Sequence, residues 1–205
     1  CDAGKLLNIE EMRDNDYVIT TKELVQWCQE EGLDLDKITP SKFDSVLGEG
    51  TGAGMIFGNT GGVMEAALRT VYRVLEGKEA PADFYQLRPV RGLSNRKEAE
   101  VTIAGKKLRV CILYGTAAAE KFLAEDMNGY HFVEVMTCPG GCISGAGQPD
   151  CGSVPVSDVV RKKRIQSLYQ ADEQAERRNS MDNPEIGTIY HEFFKEPLSM
   201  LSETL

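Results

Sequence analysis

The stretch LRVCILYGTAAAEKFLAEDMNGYHFVEVM, residues 108–136, decides the fold class of this chain. Residues 108–114 are apolar almost throughout, which is typical of a strand that is covered on both faces. Residues 115–126 have the pattern of a helix, and the apolar residues 131–136 predict a second buried strand. Strand, helix and strand in this order predict a βαβ unit with a parallel sheet, and therefore an α/β fold.

A segment with two cysteines overlaps the end of this unit, and residues 134–149 read EVMTCPGGCISGAGQP. Cys138 and Cys142 are four residues apart, with proline and glycines between and after them. Glycine lets a backbone turn sharply and pass close to a bulky group, and a core helix or strand is not expected to contain so many breakers. The pattern favours two thiolates that bind an iron–sulfur cluster, and the alternatives are two buried cysteines or half of a disulfide. The loop follows the second strand, where open α/β sheets place their sites.

Composition restricts the class of protein. The 205 residues are 41% hydrophobic and 27% charged, with a net charge of −9, which is ordinary for a globular protein. Phosphate binding needs clustered Lys and Arg, so this balance argues against a nucleic-acid partner, and the basic run 161–164 is predicted to be a solvated helix face. No run of 18 apolar residues occurs, so no membrane span is predicted. Scattered cysteines and the lack of a secretory signal favour a reducing, cytoplasmic location.

The segments before the βαβ unit have their own start and stop signals. Residues 16–20 are predicted to form a short buried strand, and Thr20 with Glu23 predicts a capping box at the start of a helix that Gly32 ends. Seven glycines lie between residues 48 and 62 and precede an amphipathic helix that Gly77 stops. Their spacing matches no nucleotide-binding motif, so it indicates a close approach of the backbone to something buried, or simply tight packing.

The remaining segments complete the predicted architecture. Residues 101–103 and 108–114 are predicted strands joined through 104–107. After Pro149, residues 156–175 and 184–194 predict two helices that form a C-terminal arm.

Three motifs in the chain resemble the iron-only (FeFe) hydrogenases. Residues 134–149 resemble the third signature of that family, Glu-x-Met-x-Cys-x-Gly-Gly-Cys-x-x-Gly-Gly-Gly-Gln-Pro, with Ala146 in place of the middle glycine. Residues 57–69, FGNTGGVMEAALR, look like the glycine-rich segment that precedes a helix in the family, and residues 164–197 are similar to a region that some members carry as a separate small subunit. The resemblance implies a partial H-cluster domain over residues 1–150 and a helical, small-subunit-like arm over 151–205.

The resemblance also implies a cofactor and a reaction. The H-cluster of the family is a 4Fe-4S cubane joined to a diiron unit that carries CO, cyanide and a bridging azadithiolate, and it catalyses the reversible reduction of protons to H2. Carried over by motif, Cys138 would bind the cubane, and Cys142 would bind the cubane and bridge to the diiron unit. The other positions expected to contact the cofactor are Met136, Phe57, Gly140 and Gly141. Soft iron clusters are bound by thiolates, which agrees with this assignment.

The sequence departs from the family at its start. The first signature, Thr-Ser-Cys-Cys-Pro, is absent, and the second, Met-Pro-Cys-x-x-Lys-x-x-Glu, is matched only in part by residues 1–5. Cys1 is therefore a candidate third thiolate, and the alternative is a terminal thiol left by truncation. Gly4 stands where the signature has lysine, which removes a polar contact expected near a cyanide. The resemblance implies four thiolates, so we expect an upstream segment or a second chain to supply the others.

Partners and alternative functions follow from the same resemblance. A ferredoxin-like electron carrier and maturation factors are expected partners. A non-catalytic sensor of H2 or redox state, which binds the same cofactor, is one alternative function. A cluster-carrying assembly protein without the diiron unit is the other.

Several further side chains have two interpretations. Cys28 and Cys111 are expected in the core, and Cys151 is a candidate stray ligand or redox thiol. His131 and His191 are expected to be structural. Glu134 either relays a proton or orients the cysteine loop by accepting hydrogen bonds from backbone N–H groups.

Overall fold

The structure is a computed structural model that describes residues 16–42, 48–125, 127–196 and 199. The chain divides into two compact units. The first lies within Cys1–Ser41 and Ala146–Cys151, and the second within Lys42–Gly145 and Gly152–Leu205. No helix in the described part has the length and apolar character that crossing a membrane requires.

The first unit contains helix α1 (Thr21–Glu30) and a 3₁₀ turn at Leu35–Lys37. The predicted capping box is confirmed, because Thr20 Oγ1 accepts a hydrogen bond from Glu23 N–H and the Glu23 carboxylate accepts one from Thr20 N–H. The buried strand predicted over residues 16–20 is wrong. These residues are exposed and pair with no described strand, so their apolar side chains have no sheet to cover.

The second unit contains a three-stranded sheet in the order β1–β2–β3. Strands β1 (Arg96–Ile103) and β2 (Lys106–Tyr114) form an antiparallel hairpin. Strand β3 (Phe132–Met136) is parallel to β2, and helix α4 (Thr116–Leu123) connects the two. This arrangement confirms the predicted α/β fold and its βαβ unit.

Burial differs between the two parallel strands. Residues 110–113 of β2 are all buried, as predicted. The prediction of a buried β3 is wrong for most of its residues, since Phe132 and Val135 are exposed and only Glu134 is buried. Strand β3 pairs with β2 on one side only within the described sheet, which leaves its side chains less covered.

Four more helices belong to the second unit. Helix α2 (Gly52–Ile56) and helix α3 (Gly62–Glu76) come from the glycine-rich segment, and α3 ends at Gly77 as predicted. Helices α5 (Asp158–Gln174) and α6 (Pro184–Ile189) form the predicted C-terminal helices, and a π-helical turn (Tyr190–Phe194) follows α6. Shorter 3₁₀ turns occur at Ala82–Tyr85, Arg88–Val90, Cys142–Ser144 and Ser180–Asp182.

Both faces of the sheet are covered by helices. Since successive side chains of a strand point to opposite faces, alternate residues of β2 contact different helices. On one face, Val110 and Ile112 of β2 join Met64 and Leu68 of α3 in a buried cluster. On the other face, the intervening residues Cys111 and Leu113 pack against Phe122 of α4. A third cluster joins α2 and α3 to α5, and consists of Ala53, Ile56, Ala66 and Tyr169.

A buried ionic cluster also joins α3 to α5. The Arg69 guanidinium donates to Asp172 Oδ1 and Oδ2 at 2.8 Å each and to Glu65 Oε1 at 2.7 Å, and the three side chains are fully buried. Arg91 and Arg178 contact this cluster from its edge. Helix α2 lies so close to Asp172 that a Cβ added at Gly52 would be 2.1 Å from Asp172 Oδ1. The glycine-rich segment therefore makes the close backbone approach that its sequence indicates.

Candidate functional site

The cysteine loop, residues 137–145, begins directly after β3. Cys138 is half-buried and Cys142 is exposed, and both are free thiols. The loop is closed by hydrogen bonds from Gly141 N–H to Cys138 O (3.0 Å) and from Gly145 N–H to Cys142 O (3.1 Å). Cys138 Sγ lies 3.7 Å from the position that a Cβ on Gly145 would take, so the absence of that atom leaves room beside the sulfur. The two thiols are thus held on one short turn and not in a hydrocarbon core.

The cysteine loop packs backbone to backbone against residues 58–60. Thr60 N–H donates to Gly140 O, and Ile143 N–H donates to Gly58 O, both at 3.0 Å. Gly141 has φ +100°, and a Cβ there would be 2.8 Å from Thr60 N and 2.9 Å from the Asn59 backbone. Only glycine fits such a conformation and so close a contact. The structure therefore joins two glycine-rich motifs that are about 80 residues apart in the sequence.

Glu134 fixes the start of α3. Its Oε1 accepts a hydrogen bond from Gly61 N–H at 2.6 Å, and its Oε2 accepts one from Met64 N–H at 2.7 Å. Burial raises the pKa of this carboxyl group, although these two bonds and the charge of Lys97 act in the opposite direction. Of the two interpretations of Glu134, the geometry supports orientation by backbone N–H groups. The segment that it orients is the turn before α3, and not the cysteine loop itself.

Lys97 is a buried residue at the site that sequence reasoning missed. Its Nζ donates to Thr60 O (3.1 Å), Thr60 Oγ1 (3.2 Å) and Gly92 O (3.1 Å). Burial lowers the pKa of the ammonium group to about 8, and the charge of Glu134 partly opposes this. The sequence did contain a signal, because residue 97 has the same two-residue spacing as Ala99, Val101 and Ile103 and therefore lies on the same, inner face of β1.

The basic run 161–164 divides into two faces of α5. Arg164 Nη1 donates to Ile143 O at 2.6 Å, and Arg161 Nε donates to Ser144 Oγ at 3.2 Å. Lys162 and Lys163 are exposed. The prediction of a wholly solvated face is therefore wrong for the two arginines. Residues three apart lie on one side of a helix, and here that side faces the cysteine loop.

The other predicted cofactor contacts lie on segments that meet at this loop. Met136 is half-buried at the end of β3, where its carbonyl oxygen accepts a hydrogen bond from Gly115 N–H at 2.8 Å. Phe57 is exposed and immediately precedes Gly58, whose carbonyl binds the loop. Gly140 and Gly141 are buried. Cys1 lies outside the described residues, and the cofactor roles of all these positions stay predictions.

The remaining cysteines and histidines have different surroundings. Cys111 is fully buried in the core as predicted, and burial raises the pKa of its thiol. Cys28 is only half-buried on α1, which has no buried residue, so its predicted place in a core is wrong. Cys151 is exposed, and its Sγ lies 3.8 Å from Pro149 O. His131 is structural, since its Nδ1 accepts a hydrogen bond from Arg109 N–H at 3.1 Å.

The donor set of the loop fits part of an iron–sulfur site. Thiolates are the ligands that iron–sulfur clusters take in proteins, usually four to a cluster. Among the described residues, no group of three or more His, Cys, Asp or Glu side chains could hold a metal ion. Cys138 and Cys142 therefore fit as two ligands of such a cluster, and the described residues group no third candidate ligand with them.

Two family models match the chain. Residues 4–146 match the model for the iron only hydrogenase large subunit, C-terminal domain. Residues 158–205 match the model for the iron hydrogenase small subunit. The first match contains the cysteine loop, and the second begins at the first residue of α5.

Curated relatives include both hydrogenases and an assembly factor. Iron hydrogenase 1 of Clostridium pasteurianum is 40% identical over 190 residues, which are 91% of this chain and 33% of that protein. The periplasmic Fe hydrogenase large subunit of Nitratidesulfovibrio vulgaris is 44% identical over 142 residues, 67% of this chain and 33% of that protein. The cytosolic Fe-S cluster assembly factor narfl of Xenopus tropicalis is 28% identical over 197 residues, 91% of this chain and 39% of that protein. The chain thus spans about a third of the length of these relatives.

A solved structure supports the same architecture. The FeFe-hydrogenase HydA1 from Chlamydomonas reinhardtii matches with a TM-score of 0.71 and 33% sequence identity, and the match covers 94% of this chain and 55% of that one. At this identity, the shared fold and the shared sequence point to the same family.

Proposed function

The chain belongs to the iron-only hydrogenase family, and we propose that it is the C-terminal part of a hydrogenase that interconverts protons, electrons and H2 at an H-cluster. The observation that carries this proposal is the cysteine loop, in which two free thiols are held on a turn that only glycine could form. Such a turn costs conformational freedom and leaves its two thiols outside the buried clusters, which a ligand-binding role explains.

Each part of the loop has a task in this proposal. Cys138 and Cys142 would bind the cubane, and Cys142 would also bridge to the diiron unit. When bound, the cluster would supply the redox and proton chemistry, which amino-acid side chains cannot perform alone. Met136 and Phe57 would form apolar walls that exclude water.

A second set of residues holds the site in place without contacting the cofactor. Glu134 fixes the turn before α3 through two backbone hydrogen bonds. Lys97 fixes Thr60, whose N–H binds the loop at Gly140. These bonds keep the loop rigid, as a metal site with fixed ligand geometry requires.

The other ligands would come from an upstream segment or a second chain, as would the path for electrons from a ferredoxin-like carrier. Maturation factors would install the diiron unit. We propose a cytoplasmic location, since free cysteines suit a reducing compartment. The periplasmic relative makes this a point to test by cell fractionation.

The test is co-expression of this chain with an upstream hydrogenase segment and maturation factors, followed by iron analysis, infrared spectroscopy and an assay of H2 evolution. We expect CO and cyanide infrared bands in the purified complex. The Cys142→Ser variant should lose these bands and the activity, because the bridging thiolate is gone. Cys28→Ser is the matched control and should keep both. H2 evolution by the Cys142→Ser variant would contradict the assigned role.

An iron–sulfur assembly function is the second candidate, and the relative named as a cytosolic assembly factor favours it. In that case the complex should bind cubane iron through the same loop but show no CO or cyanide bands after maturation. Bands without turnover would instead indicate a sensor of H2 or redox state. The same preparation therefore separates the three functions.

A further inference from the structure

Helix α5 contacts the turn that presents Cys142. Arg164 donates to the carbonyl oxygen of Ile143, the residue that directly follows Cys142, at 2.6 Å. Arg161 donates to Ser144 Oγ at 3.2 Å, and its Cδ would lie 3.4 Å from a Cβ on Gly140. The side chain of Arg161 is only 11% exposed, and its Nη1 is fixed by Asp158 at 2.7 Å.

The turn is held from two directions. Within the 3₁₀ turn Cys142–Ser144, the carbonyl of Cys142 accepts from Gly145 N–H and that of Gly141 accepts from Ser144 N–H. Ile143 N–H donates a hydrogen bond to Gly58 O, and Ile143 O accepts one from the guanidinium of Arg164. A hydrogen bond from a charged donor is shorter and stronger than one between neutral groups. The bond from Arg164 is therefore stronger than each of the backbone hydrogen bonds that hold this turn.

We propose that Arg161 and Arg164 are positioning residues, which hold Cys142 in its ligating conformation and place positive charge beside a cluster bound there. The proposal rests on the proposed function for its charge effect, but not for its effect on the turn. It assigns the segment that matches the small-subunit model a direct part in the site. Nearby positive charge favours the more negative, reduced form of a cluster, because the net charge and hydrogen bonding around a cluster set its potential.

The first test is hydrogen exchange at the Ser144 and Gly145 amides in the metal-free full chain. Arg164→Met keeps the apolar stem and removes the donor, so we expect about tenfold faster exchange or more, as loss of a charge-assisted bond implies. Arg161→Met should have a smaller effect in the same direction. Lys163→Met is the matched control, with the same charge change on the exposed face of α5, and it should leave exchange unchanged. Exchange within β2 verifies that each variant is folded.

The second test is the reduction potential of the cubane in the complex with the upstream segment. We expect Arg164→Met to shift the potential to a more negative value than Lys163→Met does, and Arg164→Lys to restore most of the shift. Equal exchange and equal potential in Arg164→Met and Lys163→Met would overturn the proposal. If the wild-type complex binds no iron, the proposed function fails, while the exchange result still decides whether the arginines hold the turn. If Arg164→Met unfolds, hydrogen exchange at the Ser144 and Gly145 amides is measured in Arg164→Lys instead, which keeps a donor but loses the fork geometry. Faster exchange than in Lys163→Met supports the proposal, and equal exchange overturns it.

Discussion

At the residue scale, the site depends on glycine, because the lack of a Cβ atom allows close contact between backbones. Gly141 is the clearest case, because its φ of +100° and its contacts with Asn59 and Thr60 exclude a Cβ. Gly129 provides a comparison, since it has a similar φ of +91° with nothing within 4 Å of an added Cβ. A substitution at Gly129 therefore introduces backbone strain alone, whereas one at Gly141 introduces both strain and a steric clash.

We expect Gly141→Ala to lower the free energy of unfolding by roughly 2–5 kcal/mol, from strain and overpacking together. Gly129→Ala should cost only about 1–2 kcal/mol, because strain acts there alone. Urea unfolding measures both, and iron analysis of the complex should show a loss for Gly141→Ala only. Equal stability of the two variants would mean that the loop does not pack on residues 58–60 as described.

At the element scale, the strand that leads into the cysteine loop also fixes the next motif. Glu134 on β3 supplies the cap that α3 lacks, since the cap residue of this helix, Gly61, has no side chain to accept from its first N–H groups. A carboxylate near a helix N-terminus is further stabilised by the helix dipole. One side chain thus links β3, the start of α3 and, through residues 58–60, the loop.

We expect Glu134→Gln to lower the free energy of unfolding by roughly 1–3 kcal/mol, because the amide NH2 would face a backbone N–H that then has no acceptor. Glu120→Gln, on the exposed side of α4, should leave stability within about 0.5 kcal/mol. Urea unfolding gives both values, and exchange at the Met64 amide should become faster in the first variant only. An unchanged Met64 amide would contradict the capping role.

At the scale of the whole molecule, a buried ionic cluster connects distant segments of the second unit. Arg69 lies in the large-subunit match and Asp172 in the small-subunit match, so their ion pair joins the two matched segments. Burial raises the pKa of Asp172, but the hydrogen bonds and the positive charges of Arg69 and Arg178 together lower it more, so the net pKa is below its ordinary value. A buried pair is costly to break, because it leaves the partner charge uncompensated.

We expect Asp172→Asn to lower the free energy of unfolding by about 3–5 kcal/mol at neutral pH. A carboxyl group with a lowered folded pKa stabilises the fold above its unfolded pKa, and this stabilisation is lost as pH falls through the folded value. The difference between wild type and Asp172→Asn should therefore shrink below pH 3.8, the ordinary value. Urea unfolding across pH checks this, with exposed Glu173→Gln as the neighbouring control. A difference that stays constant down to acid unfolding would show that the charge of Asp172 does not matter.

Local patterns predicted much of the fold. The capping box at Thr20, the end of α3 at Gly77 and the strand–helix–strand order were all readable, because each depends on residues a few positions apart. The exposed coil at residues 16–20 could not be predicted in this way. An apolar run indicates a strand but does not show whether a neighbouring strand exists to pair with it.

The sequence by itself determined the α/β class, the family and the pair of thiols, because periodicity and a dense motif are local properties. Only the tertiary structure decided which partners the buried and half-buried charged groups have: Glu134 on the turn before α3, Lys97 on Thr60, and Arg164 on Ile143. These pairs join residues 21 to 73 positions apart. The local sequence pattern around a charged residue is the same whether its side chain is solvated or bonds to a backbone carbonyl oxygen. Which of the two occurs is decided only when distant segments pack together and exclude the water between them.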